Sequence, residues 1–330
     1  MIYALAITGP TASGKTSLSV ALAKELGAEI ISADSMQIYR GMDIGTAKVT
    51  RDEMENVPHH LIDIISPLEN YSTESYRADA VATARSISER GRVPLFAGGT
   101  GLYIDTLMRA PQTDVPKSLN TKEVSDTPCE ISEDEKNSLW QRLYEVDPES
   151  ALIIHKNNVR RVRRAIEIFE ETGIPKSRLD KLSREKPQDI SIEMITLDFK
   201  NRDNLYSRID ARVDEMMRCG LLDEVRRLYD GGLLRKDSTA AQAIGYKELT
   251  RYLDGEISLD GAVDLIKLSS RRYAKRQLTW FRHNKDAYRL FVDDDDGTLR
   301  SFDDVLKEAL NVSREMLAKI STKGDSDEIC

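Results

Sequence analysis

The chain reads as an α/β protein with a parallel sheet, and three observations in its 330 residues lead there. Ile2 to Thr8 (IYALAIT), Ala28 to Ala33 (AEIISA) and Val93 to Ala97 (VPLFA) are short, mostly apolar runs that read as buried strands. Helical periodicity follows the first run: Leu18, Ala21, Leu22 and Leu26 recur at helical spacing, with Gly27 as the stop. Between that strand and that helix stands GPTASGKT, residues 9 to 16, with Gly9, Gly14, Lys15 and Thr16 at the G-x-x-x-x-G-K-[ST] spacing. In such a loop consecutive backbone N–H groups wrap a phosphate, the lysine adds a point charge and the hydroxyl holds Mg2+. The expected fold is an α/β core of the P-loop nucleoside-triphosphate-hydrolase type, with a phosphate at the positive end of the first helix.

Composition bounds what this core can serve. Residues are 40% hydrophobic and 32% charged, and no apolar run approaches the ~20 residues that span a bilayer. The N-terminal apolar stretch has no basic lead and enters the phosphate loop directly, so neither a targeting segment nor a membrane partner is expected, and the expected location is cytoplasmic. Cys129, Cys219 and Cys330 are odd in number and far apart, which suits a reducing compartment better than a disulfide framework or zinc site. A net charge of −8, taken alone, argues against nucleic acid. The cations are nevertheless clustered: Lys156, Arg160, Arg161, Arg163 and Arg164 crowd one stretch, and Arg271, Arg272, Lys275, Arg276 and Arg282 another. Two such patches on an acidic body can still meet a polyanion.

Each later element follows from its own residues. The second strand delivers Asp34, Ser35, Met36 and Gln37 to the C-terminal edge of the sheet, where ligands sit in parallel α/β proteins. Residues 39 to 48 are polar and contain two glycines, hence loop; Tyr71 to Glu89 has helical period and ends at Gly91. His59 and His60 are adjacent and lack a carboxylate or cysteine at ligand spacing, so they suggest no metal. The third strand opens into GGTGLY, residues 98 to 103, which hangs Thr100 over the same edge as Asp34. From 111 to 189 the character changes to polar irregular sequence and then helices over 134–146, 148–154 and 159–171, read as a mostly helical insertion. Ser191 to Leu197 returns to strand and should rejoin the sheet, so the core comprises 1–110 and 190–330. Helices follow over 205–218, 221–229, 247–253 and 259–284, the first carrying Arg208, Arg212 and Asp214 about one turn apart, and the final ten residues read as disordered. In the last helix Trp280 and Phe281 follow the basic run, an arrangement suited either to stacking on bases or to anchoring the helix in the core.

Spacing alone leaves three classes open: a phosphoryl-transfer enzyme with Asp34 on Mg2+, a group transferase that holds a diphosphate leaving group and uses Asp34 as base, or a nucleic-acid-binding protein with a regulatory nucleotide site. Seven stretches taken together separate them. GPTASGKT (9–16), DSMQIYRGMDIGTAK (34–48), GGTGLY (98–103), IHKNNVRRVRRAIE (154–167), RIDARVDEMMRCGLLDEV (208–225), QAIGYKE (242–248) and AKRQLTWFR (274–282) resemble the tRNA dimethylallyltransferase family, in family order. The compact bacterial form is the nearer match, since a zinc-finger extension is lacking. Lys156 stands where the family usually has proline, which should loosen that helix start, and 112–130 has little that aligns.

The resemblance implies transfer of a dimethylallyl group from dimethylallyl diphosphate to the exocyclic amine of the adenosine just 3′ of the anticodon. It implies that Gly9, Pro10, Thr11, Ala12, Ser13, Gly14, Lys15 and Thr16 hold the diphosphate, with Thr16 on Mg2+. Asp34 matches the general base, Thr100 a residue beside the reacting centre, and Arg212 an arginine directed at the diphosphate. Asp34, Ser35, Met36, Gln37 and Thr100, the run Arg160, Arg161, Val162, Arg163 and Arg164, and the run Gln242, Ala243, Ile244, Gly245, Tyr246 and Lys247 match segments that touch tRNA. The partners so implied are a tRNA anticodon stem-loop and dimethylallyl diphosphate, and a monomer is expected. Two alternatives stay beside this reading: an adenylate isopentenyltransferase acting on free AMP, ADP or ATP, and, more distantly, a P-loop small-molecule kinase.

Overall fold

The computed structural model describes residues 1–109, 131–182, 187, 189–236 and 238–327. In chain order it contains β1 (Ile2–Thr8), α1 (Lys15–Leu26), β2 (Ala28–Ser32), β3 (His59–His60), α2 (Thr73–Glu89), β4 (Val93–Gly98) and α3 (Gly101–Leu107). Then come α4 (Glu133–Val146), α5 (Pro148–Ile153), α6 (Val159–Thr172) and α7 (Lys176–Leu182). The chain returns through β5 (Ile190–Asp198), α8 (Arg202–Arg218), α9 (Leu221–Asp230), α10 (Tyr246–Leu253), α11 (Leu259–Arg282), β6 (Tyr288–Phe291) and α12 (Phe302–Asp327).

The strands form one parallel sheet in the order β3-β2-β4-β1-β5-β6. β1 lies inside it, with Ile7 opposite Ala97 on one side and Ile195 on the other. Side chains alternate across a strand, and β1 is apolar on both faces for that reason. Ala4 and Ala6 face a layer built by Tyr76, Ala80 and Ile87 of α2, Tyr103 and Ile104 of α3, and Phe281 of α11. Leu5 and Ile7 face the opposite layer, with Leu18 and Leu22 of α1 and Val305, Ala309 and Met316 of α12. Helices on both faces of a parallel sheet are the α/β arrangement the apolar runs predict. A third cluster packs α9, α10 and the start of α11 around Ile38, Tyr39 and Met42, the loop after β2.

Because all strands run one way, Thr8, Ser32, Gly98 and Asp198 end at the same edge. Gly98 sets the closeness of that edge: a Cβ there would lie 2.2 Å from the Ala33 carbonyl oxygen, so any other residue forces β2 and β4 apart.

Several elements depart from the sequence reading. β3 and β6 are short strands at the sheet's outer edges, too brief for periodicity to show. Helices α7 and α12 were also not anticipated, and α12 corrects the reading of the last ten residues: it runs through Asp327, while 328–330 lie outside the described residues. Its packed first half nucleates the helix, and each further residue then adds one backbone bond to an existing turn.

Helices α4 to α7, between α3 and β5, pack on one another around Leu143, Ala151, Ile154, Val162, Ala165 and Ile166. Asp147 ties two of them, accepting from the Ser150 N–H that it caps and from the Ser177 N–H of α7. Lys156, expected to loosen the start of α6, donates to Asn137 Oδ1 of α4 at 2.8 Å. The stretch 112–130, for which the sequence offered no alignment, lies outside the described residues, as do Cys129 and Cys330; Cys219 is exposed and unbridged. Among the described residues no helix is long and apolar enough to cross a membrane.

Candidate active site

Segments far apart in sequence meet over the C-terminal edge of the sheet and enclose a cavity of about 310 Å³. The phosphate loop after β1 supplies Thr11, Lys15 and Thr16, the end of β2 supplies Asp34, Ser35, Met36 and Gln37, and α8 supplies Arg212. Gln242, Ala243, Ile244, Gly245 and Lys247 close another side. Thirteen residues expected from sequence to share a site therefore line one space together.

The loop is held from behind. Gln277, buried on α11, accepts from the Thr11 N–H at 2.9 Å and donates to the Gly99 carbonyl at 2.8 Å, stapling the phosphate loop to the turn after β4. Arg208 Nε donates to the Ala12 carbonyl at 2.8 Å, and Lys15 Nζ to the Pro10 carbonyl at 3.3 Å. Ser13 is buried within the loop, and Gly14 caps α1 with its N–H end toward the cavity.

Burial pushes the Lys15 ammonium down to about 8, with Arg212 adding to the fall and Asp34 opposing it. Burial likewise lowers Arg212, against the pull of Asp34 and Glu53. Two cations crowded into one enclosed space are each less comfortable for the other, and an arriving anion relieves both. Asp34 Oδ1 accepts from the Met36 N–H at 2.9 Å, which fixes the carboxylate at the strand end and leaves its second oxygen for other partners. Thr100 Oγ1 accepts from the Ser35 N–H at 3.0 Å and donates to Ser35 Oγ at 3.3 Å, so it buttresses the Asp34 turn. Ile209, Val213, Met216, Leu221 and Ile266 form an apolar wall of the same cavity.

Other expected residues stand elsewhere. Tyr246, anticipated on the RNA side, is fully buried beneath Gly45, and Val162 is 1% exposed in the core of α4 to α7; both side chains support a surface and do not form it. Arg160 and Arg161 are exposed on α6, Arg163 and Arg164 half-buried, and none of the four lines the cavity. The second basic patch is partly internal: Arg282 grips buried Asp198 through two bonds of 3.0 and 2.9 Å, and Arg271 pairs with Asp210. His60 is taken up by Glu29 at 2.8 Å and His59 by the Val57 carbonyl.

Sequence reasoning missed three supports, Gln277, Tyr273 and Glu224, because their partners are distant in the chain. Burial, then the charge of Asp34, pushes the Tyr273 hydroxyl up to about 12, so it serves as a neutral neighbour of Thr100 and Gln277. Glu224 is buried and receives four donors: its Oε2 accepts from the Asp43 and Ile44 N–H groups at 3.0 and 2.8 Å, its Oε1 from the Gly45 N–H at 3.1 Å and from the Tyr246 hydroxyl at 2.5 Å. That knot holds the loop bearing Gly45, Thr46 and Ala47 against the cavity. Glu224→Gln turns an amide NH2 toward N–H donors in either orientation, leaving buried groups unmatched at about 1–3 kcal/mol. We expect faster amide hydrogen exchange at residues 43–45 and a lower Tm; exchange unchanged from wild type would rule the knot out as the restraint.

The donors present suit Mg2+ better than a caged metal. Among the described residues no three His, Cys, Asp or Glu side chains converge, whereas the exposed Thr16 hydroxyl and the Asp34 carboxylate share the cavity with the phosphate loop. A hard ion that keeps waters and binds through substrate phosphates needs no more than one or two protein oxygens.

The family model for IPP transferase matches residues 37–284, and that for isopentenyl transferase residues 2–69. A tRNA dimethylallyltransferase of Caldanaerobacter subterraneus subsp. tengcongensis is 47% identical over 297 residues, 89% of this chain and 93% of that one. The crystal structure of the full-length tRNA isopentenylpyrophosphate transferase of Bacillus halodurans superposes with a TM-score of 0.70 at 40% identity, covering 98% of this chain and all of that one. A eukaryotic dimethylallyltransferase, described as acting on tRNA, superposes with a TM-score of 0.79 at 27% identity, covering 97% of this chain and 80% of that one. Identity at this level over nearly the whole length, on the same parallel sheet, means that the chain belongs to the tRNA dimethylallyltransferase family.

Proposed function

We propose that this enzyme transfers the dimethylallyl group of dimethylallyl diphosphate to the exocyclic amine of the adenosine 3′-adjacent to the anticodon in tRNA, with the cavity beside Asp34 as the reaction chamber. One observation carries the assignment: a single cavity is lined by the phosphate loop with Lys15 and Arg212, by the apolar wall of Ile209, Val213, Met216, Leu221 and Ile266, and by the Asp34 carboxylate. Diphosphate fits the first, a short branched hydrocarbon the second, and an amine the third.

Each residue then has a task. The N–H groups of Gly14, Lys15 and Thr16 at the start of α1, with the Lys15 ammonium and Arg212, bind the diphosphate and stabilise the charge it gains as the carbon–oxygen bond breaks and keeps its electron pair on oxygen. The adenine amine forms the new carbon–nitrogen bond; its lone pair is delocalised into the ring, so loss of its proton to Asp34 as the bond forms lowers the barrier. Thr100 holds the Asp34 turn, and the wall of α8, α9 and α11 keeps the dimethylallyl group dry. Thr16 would hold Mg2+ beside the diphosphate, where the ion would supply further neutralisation of the leaving group. Ser35 to Gln37, Gln242 to Lys247 and the arginines of α6 meet the RNA, with 111–189 as the tRNA-contacting insertion on a core of 1–110 and 190–330. Because the target adenosine sits in a single-stranded loop, unstacking it into the cavity is inexpensive. The enzyme works as a monomer in the cytoplasm, where its acceptor is made.

Labelled dimethylallyl diphosphate tests this directly. Label should pass to an anticodon stem-loop with adenosine 3′ of the anticodon, and little or none to AMP, ADP or ATP. Preferential labelling of a free nucleotide overturns the acceptor assignment; phosphate transfer from ATP without prenyl product overturns the reaction.

A further inference from the structure

Two adjacent aromatics at the end of α11 have different fates. Phe281 is buried under the sheet, while Trp280 is 40% exposed. Its surroundings are built around a ring rather than around bulk. A Cβ added at Gly101 would lie 2.4, 2.6 and 2.7 Å from Cδ1, Nε1 and Cγ of the indole. Those three distances are nearly equal, whereas an approach along the ring edge would leave Nε1 and Cγ well beyond Cδ1. The Gly101 backbone therefore lies against one face of the five-membered ring. The other anchor is Asp105, whose carboxyl is raised by burial while the Trp280 indole N–H draws it back down. With one face seated on Gly101 and the N–H edge committed to Asp105, solvent reaches the indole from the side left over.

Its position matters as much as its exposure. Trp280 is one turn along α11 from Arg276 and Gln277, which line the cavity, and it sits on the residue after Thr100, whose hydroxyl holds the Asp34 turn. Exposed Arg272, Lys275 and Arg276 lie on the same helix, a cationic setting for a phosphate backbone. A partly exposed indole held in place by Gly101 and Asp105, one turn from cavity-lining Arg276 and Gln277, is a platform for a nucleobase.

We propose that Trp280 stacks on a nucleobase flanking the target adenosine and so replaces the stacking lost when that adenosine leaves the loop. The proposal rests on the tRNA reading above and adds a base-binding residue to it. No hydrogen-bond readout is involved, so the contact tolerates any base at that position.

The test places 2-aminopurine immediately 5′ or 3′ of the target adenosine in an anticodon stem-loop and follows its fluorescence on binding to the full chain. Stacking predicts quenching at one of the two positions with wild type, retained in Trp280→Phe and lost in Trp280→Leu, which keeps apolar size without a π face. In parallel, Trp280→Leu should raise the KM for unmodified stem-loop by about tenfold or more, with the KM for dimethylallyl diphosphate near wild type and Tm no lower than that of Trp280→Phe, which also lacks the indole N–H, and Trp280→Phe should restore most of the stem-loop KM. Equal quenching in wild type and Trp280→Leu, or loss of both substrates' KM together with Tm, overturns the platform while leaving prenyl transfer by wild type intact. Failure of wild type to modify the stem-loop at all is instead a failure of the acceptor assignment, and the platform falls with it.

Discussion

Asp34→Asn is expected to slow single-turnover prenyl transfer by a factor of about 100 or more while leaving stem-loop affinity nearly unchanged. The asymmetry follows from what asparagine keeps. Its Oδ1 can still accept the Met36 N–H that Asp34 accepts at 2.9 Å, so the turn that presents Ser35, Met36 and Gln37 to the RNA survives. What disappears is an anionic oxygen able to take a proton from the adenine amine. Rapid-quench measurement at saturating substrates isolates that step. If raised Mg2+ restores the rate, Asp34 is a metal ligand and its role as base is wrong.

Lys15→Ala should lower kcat/KM for dimethylallyl diphosphate by a factor on the order of 100, with losses in both KM and kcat, because one ammonium serves the bound diphosphate and the departing one. The lowered pKa supplies a second readout. Free Lys15 sheds its proton near pH 8, while bound diphosphate favours the ammonium, so binding above that pH must take up a proton. Wild-type kcat/KM should therefore fall as pH rises through 8, and Lys15→Ala should lack that limb. Near-wild-type kinetics in the variant would remove Lys15 from the site.

What could be read from sequence was what is local or uniform. β1, β2, β4 and β5 are inner strands, covered on both faces, so their residues are mostly apolar and their limits fall within about one or two residues of the expected ones. His59–His60 and Tyr288–Phe291 sit at the edges, where four residues or fewer need no pattern. The phosphate loop is legible because each of its parts has a fixed offset from the next. Its restraints are not: Gln277 reaches Thr11 across 266 positions and Glu224 reaches Ile44 across 180, and no window of sequence contains both partners. Burial of Tyr246 and Val162 inside stretches expected to touch RNA has the same origin, since a contiguous motif says which segment approaches a ligand but not which side chains turn inward to hold it.

The staple through Gln277 also bears on how the enzyme comes into being. During synthesis the phosphate loop emerges early, with β1 able to pair only after β4 and then, much later, β5 follow. Until α11 leaves the ribosome, the Thr11 N–H and the Gly99 carbonyl lack their shared partner, and the wall containing Ile266 and Tyr273 does not exist. A nascent chain thus carries a recognisable anion loop with no chamber attached to it. The chamber is therefore complete only once α11 has folded, late in translation.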